Sequence, residues 1–372
     1  MEENEEHPLC ERLLCPDLLV FDDSECLQYF SKDTISRHYL GCSNTEQLHS
    51  LSQIPHLVKN PEALLFMMSV CEEELAKDCW NYWQCKKKFT ISVSHVIMIF
   101  LNWGATPKSL GIQDEPQLYS SFKITACPTS LADFPTSYHV KAVLGSISEC
   151  LSNDSDENDE IQRHYLLRIL AIASLDKRLS QYGLEFQQTI CEVLKAYPVW
   201  TLEKVAELVA QLQQVLQQNA AKFFCNLFVT SPRIRDLKVI AVRTLLQSKF
   251  NFPPPQEPLQ SLLQNLPLQE QITERFELLE IYLLIKLLNT LLITCNLLPN
   301  TCDSFVMDQP SEAFTIGLMK WTDAVYAKLM APPLLFDIEA SIIREKCVRL
   351  RADCKELVKN HDKGIFNCMY ED

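Results

Sequence analysis

Apolar residues recur at three- and four-residue steps from about residue 60 onward, and the strict alternation of a half-buried strand is rare and short. Asn60-Pro61-Glu62 combines an N-cap residue, a proline at the first helical position and an acid in the first turn, just ahead of the apolar run Ala63 to Val70. The same start signal stands at Ser231-Pro232. From there Ile234, Leu237, Ala241 and Leu245 make one stripe, while Arg235, Lys238 and Lys249 fall on another. This spacing predicts an amphipathic helix with a basic face. Further helices are predicted over 93–102, 138–151, 160–181, 185–197, 202–217, 220–229, 272–298 and 312–330. A last one, over 335–359, lines up Phe336, Ala340, Ile343, Cys347, Leu350, Cys354 and Leu357 as one apolar seam, with Arg344, Arg351 and Lys355 on the opposite stripe.

Three segments break the pattern and read as loops: 103–135, rich in Pro, Ser, Thr and Gly; the acidic NDSDENDE at 153–160; and NFPPPQEP at 251–258. Connections are otherwise short. The expected fold is all-α, an irregular helical-repeat array of antiparallel helices resembling a HEAT-type solenoid, with no exact sequence repeat. Residues 1–59 form an N-terminal extension and 60–372 the helical domain.

Composition narrows the chemistry. With 47% hydrophobic residues in 372, the chain has ample material for a core. Only seven glycines are present, which argues against folds that spend glycine on phosphate-cradling loops and tight βα turns. Lys plus Arg is 34 against 48 Asp plus Glu, a net charge of −14 that repels naked nucleic acid, so any DNA contact is expected to be local, weak or indirect. The stretch 278–298 is apolar enough to raise the membrane question, but Glu280, Lys286 and Asn289 interrupt it, and it reads as a buried helix. Sixteen cysteines are scattered singly with no CxxC, and the acidic N-terminal stretch is unlike a secretory signal; buried reduced thiols in an intracellular protein are expected.

Catalytic signatures are missing: there is no GxSxG, GxxxxGK[ST], HExxH or kinase set, so no catalytic residue, cofactor or small-molecule substrate is assigned. Cys71, Cys79 and Cys85 lie near His95, but their gaps are wider than those of a zinc knuckle, and no metal site is assigned. Cys347 and Cys354 share the apolar seam of the last helix and read as core. The candidate contact residues are therefore the basic stripes, Arg235, Lys238 and Lys249 with Arg344, Arg351 and Lys355, which suit either phosphates or a protein partner, or else form a solvated face. Trp80, Tyr82 and Trp83, beside the KKKF run at 86–89, suit either a partner anchor or core packing with a lysine rim.

The order of several segments resembles the CANIN-domain family, the Nse-six-like localization factors of the Smc five-six complex. FMMSV at 66–70 is similar to its opening motif. SHVIMIFLNWGATPKSLGIQDEPQ at 94–117 is similar to its helix, glycine turn and Ser-Leu loop, with Asn102, Gly104, Ser109 and Leu110 in matching places. The paired helices of 165–197, the Thr-Ser-basic start within 227–246 and the closing EKCVRLRADCKELV at 345–358 follow in the family's order, so the resemblance spans roughly 60–360. It implies a nuclear, non-enzymatic adaptor that pairs with an Nse-five-like helical partner of the localization-factor-one type and serves the Smc five-six complex in DNA repair. A direct nucleic-acid-binding module using the basic helix faces is the alternative.

Overall fold

The computed structural model describes residues 27–30, 61–70, 73–86, 91–120, 123–126, 135–153, 160–267, 277–296, 310–332 and 334–362. These gather into two compact units. One comprises the described residues within Asp17–Trp200 together with Gln211–Gln217, and the other Thr201–Ala210 together with the described residues from Gln218 onward. The fold is all-α, with one short antiparallel strand pair among the described residues.

The first unit holds α1 (Pro61–Val70), α2 (Glu73–Lys86), α3 (Val93–Asn102), α4 (Ser137–Asn153), α5 (Glu160–Ala173) and α6 (Gly183–Lys195). Helix α3 starts where Ser92 and His95 cap each other: Ser92 Oγ accepts from the His95 amide (3.4 Å) and His95 Nδ1 accepts from the Ser92 amide (3.2 Å). Burial lowers the His95 pKa, which keeps the ring neutral and able to accept. From this start α3 buries Val96, Ile97, Phe100 and Leu101 and packs against α1 and α5. Helix α2 lacks a broad apolar stripe and was not expected from the pattern; Ala76, Cys79 and Trp83, at steps of three and four, form a narrow one that packs on α1 and α4. Its approach to α4 is close because Gly145 leaves room for Trp80: a Cβ there would lie 2.7 Å from the indole Cη2.

Two expectations change in this unit. The helix predicted over 160–181 ends at Ala173, because Asp176 accepts a hydrogen bond from the Arg178 amide (2.8 Å) and starts a separate 3-10 turn, Lys177–Tyr182. The loop predicted over 103–135 contains strand β2 (Lys123–Ala126), paired antiparallel with β1 (Leu27–Phe30) from the N-terminal extension, with Leu27 opposite Ala126 and Phe30 opposite Lys123. Four-residue strands leave too little alternation to be read from sequence. Residues 103–120 of that loop are held by specific bonds. Thr106 and Ser109 exchange amide-to-hydroxyl bonds of 2.9 and 3.0 Å, and Arg168 of α5 holds the loop by donating to the Gly111 carbonyl (3.0 Å) and pairing with Glu115 (3.2 Å).

Helix α7 (Leu202–Leu216) divides its residues between the two units. The second unit continues with α8 (Ala220–Asn226), α9 (Pro232–Phe250), α10 (Ser261–Asn265), α11 (Leu278–Asn296), α12 (Glu312–Leu329) and α13 (Ile338–Asp362). Ser231, Ser311 and Asp337 cap α9, α12 and α13 by accepting from the amides of Ile234, Phe314 and Ala340. Asn251 closes α9 in the left-handed region at φ 57°, and its amide donates to the Leu246 and Gln247 carbonyls. Helix α11 is the one described helix long and apolar enough to cross a membrane. It packs against α8, α9 and α13 through Ile281, Leu284, Ile285, Leu288, Leu291 and Leu292, all buried.

Candidate partner-contact surface

Helix α9 was expected to present a basic face. It does not: every residue from Ile234 to Arg243 is buried, including Arg235 at 1% and Lys238 at 8% exposure. Helices α8 and α11 both pack on it, and the stretch from Ile234 to Arg243 is withdrawn from solvent. The charges are accommodated by local chemistry. Arg235 Nε lies 3.9 Å from Asp236, itself fully buried. Lys238 Nζ donates to the carbonyls of Leu227 (2.6 Å) and Cys225 (3.3 Å), at the end of α8. Those are acceptors that a helix C-terminus leaves without an intrahelical partner, and a cation there also complements the helix dipole. Burial pushes the Lys238 pKa down to about 8, with the Cys225 thiol group opposing the shift and Lys286 of α11 adding to it.

Arg243, not singled out from sequence, does the same further along α9, its Nη2 donating to the carbonyls of Pro254 (3.0 Å) and Glu257 in the proline-rich segment. Arg344 of α13 is the third case: it donates to the carbonyls of Leu329 (2.8 Å), Leu334 (3.0 Å) and Leu335 (3.0 Å), fastening the connection from α12. Lys238, Arg243 and Arg344 are thus anchors for chain reversals. Their periodic placement looks like a surface stripe because a residue that reaches a neighbouring carbonyl and one that reaches water can occupy the same helical position.

Lys249, Arg351 and Lys355 are exposed. Arg351 on α13 pairs with Asp323 on α12 at 2.8 Å; both are nearly half exposed, so the pair is an ordinary surface bridge. The accessible basic residues of the original set therefore do not form the two continuous stripes expected.

The apolar seam of α13 also needs one correction. Ala340, Ile343, Cys347, Leu350 and Cys354 are buried, as the spacing predicts, and Leu357 is half-buried. Phe336 is not part of the seam. It belongs to a 3-10 turn, Leu334–Phe336, ahead of the helix and is 89% exposed, with Ile338 at 66% and Met330 also exposed nearby in the chain. The Asp337 cap carried the signal: a helix that begins at Ile338 puts Phe336 outside its register. An apolar group held in water by a fastened turn is the most conspicuous surface feature of this unit.

In the first unit Trp83 is buried, and Trp80 and Tyr82 are half-buried against the body of the unit. Burial pushes the thiols of Cys79, Cys347 and Cys354 up to about 12, so they stay protonated. Cys79 Sγ contacts Met67 Sδ at 3.9 Å and His95 is committed to its helix cap; no cluster of three metal-binding side chains occurs among the described residues. Cys71 lies outside the described residues, as does the centre of the acidic run, 154–159. The structure defines an all-α protein, and neither a family model nor a curated protein matches this chain.

Proposed function

We propose that this protein is a non-enzymatic nuclear adaptor that pairs with an Nse-five-like helical partner and helps recruit or regulate the Smc five-six complex in DNA repair and genome stability. The observation that carries the reading is the ordered series of segments similar to the CANIN-domain family between residues 60 and 360. Two features support it. The body is built from packed helices of the kind that present broad protein-binding surfaces, in keeping with an irregular helical array. The second unit holds Phe336, on a turn fastened by Arg344, and Ile338, at the start of α13, in solvent, an arrangement suited to an anchor residue entering a partner's pocket. On this reading the protein takes no cofactor, small-molecule substrate or membrane, and its DNA contact is indirect or weak.

Co-expression with an Nse-five-like protein is the test. The account expects a complex that survives purification and that F336D with I338D weakens without unfolding the chain. Failure to co-purify removes the proposal. The nucleic-acid alternative is left with Lys249, Arg351 and Lys355 as exposed cations and is the weaker reading. A mobility shift seen at low salt that weakens as salt is raised and when these three charges are reversed would favour it.

A further inference from the structure

The open face of α13 is complementary to itself. Ser341, Glu345, Val348, Ala352, Lys355 and Lys359 are all exposed, and steps of three and four place them along one line about 27 Å long. Ala340, Ile343, Cys347, Leu350 and Cys354 turn the other way, into the unit. Read about a centre at Leu350, the exposed line matches residues of complementary size and charge. Val348, 55% exposed, falls opposite Ala352; the acid Glu345 falls opposite the base Lys355; and Ser341 falls opposite Lys359.

We infer that α13 pairs antiparallel with α13 of a second copy of this chain, across a two-fold axis near Leu350. The symmetry makes each contact occur twice. Val348 packs over the small Ala352 of the second copy on both sides of the axis, which lets the helices approach to the usual 8–10 Å. Each Glu345 carboxylate faces a Lys355 ammonium of the other copy. Neither residue has an ion pair of its own among the described residues, whereas Arg351, which the axis would otherwise bring near its own symmetry copy, is already neutralised by Asp323 at 2.8 Å. Charge chooses the antiparallel direction: a parallel pair would set Glu345 beside Glu345 and Lys355 beside Lys355. One exposed helix face is a small interface, so the association is weak, micromolar in order, and salt-sensitive.

Sedimentation of the full chain from about 5 to 200 µM at low salt tests this. The expected result is a reversible monomer–dimer equilibrium in which E345K and K355E each raise the Kd about tenfold, while the E345K/K355E double variant returns to the original value because the exchanged charges again face each other. A monomer throughout the range overturns the inference. So does a dimer whose Kd none of the variants changes, or a double variant no tighter than the singles. The outcome is independent of the Nse-five-like pairing, which is read from co-purification.

Discussion

At the scale of single residues, Lys238, Arg243 and Arg344 direct their cations at backbone carbonyl oxygens. Replacing Lys238 with Met removes two donors and leaves the Leu227 and Cys225 carbonyls buried without them, so denaturant melts should show a loss of about 1–3 kcal/mol near neutral pH. Arg344→Ala should cost a similar amount, whereas Arg351→Ala, which breaks only a half-exposed pair, should cost at most about 1 kcal/mol. The pH dependence has a definite sign. Lys238 loses its proton near pH 8 when folded and near 10.5 when unfolded, so the unfolded state holds more protons between those values and this residue's contribution rises with pH there. The thiols of Cys79, Cys347 and Cys354 ionise near 9 when unfolded and near 12 when folded, so their contribution falls above pH 9. Stability measured by urea melts should therefore decline from about pH 9 upward. In Cys347→Ala the decline should be shallower, and in Lys238→Met steeper between about pH 9 and 10.5, where the lysine's compensating rise is gone.

At the scale of elements, close packing decides more than propensity. Gly145→Ala favours helix α4 locally by about 1 kcal/mol, but the new methyl would stand 2.7 Å from the Trp80 ring, and displacing that ring should make the net effect destabilising by about 1–3 kcal/mol in a thermal melt. Helix positions were largely legible from sequence. The helix over Val93–Asn102, the Ser231-Pro232 start and the seam from Ala340 to Cys354 follow directly from side-chain chemistry and the 3.6-residue period. What sequence missed has physical causes. Among its described side chains helix α2 buries a stripe of three; the β1–β2 pair depends on two segments about a hundred residues apart; and Asp176, read as part of a helix, stops one by bonding the Arg178 amide. The candidate contact surface was less legible still. Arg235 and Lys238 sit in helical register with polar neighbours, yet only the packing of α8 and α11 on α9 reveals that no water reaches them. Phe336 was misplaced because periodicity was carried through the start of a helix that Asp337 actually begins.

At the scale of the molecule, an acidic chain of net charge −14 is built from helices whose internal cations are spent on fastening its turns. What it offers outward in the second unit is apolar and mixed-charge surface on and around α13, suited to protein contacts more than to phosphate. The central claim is that the chain works by binding a helical protein partner. Light scattering on a size-exclusion column loaded with the purified protein and an Nse-five-like protein tests it most directly. The account expects a single peak whose mass is the sum of the two chains, lost on introducing F336D and I338D together; two separate peaks at concentrations well above micromolar would contradict it.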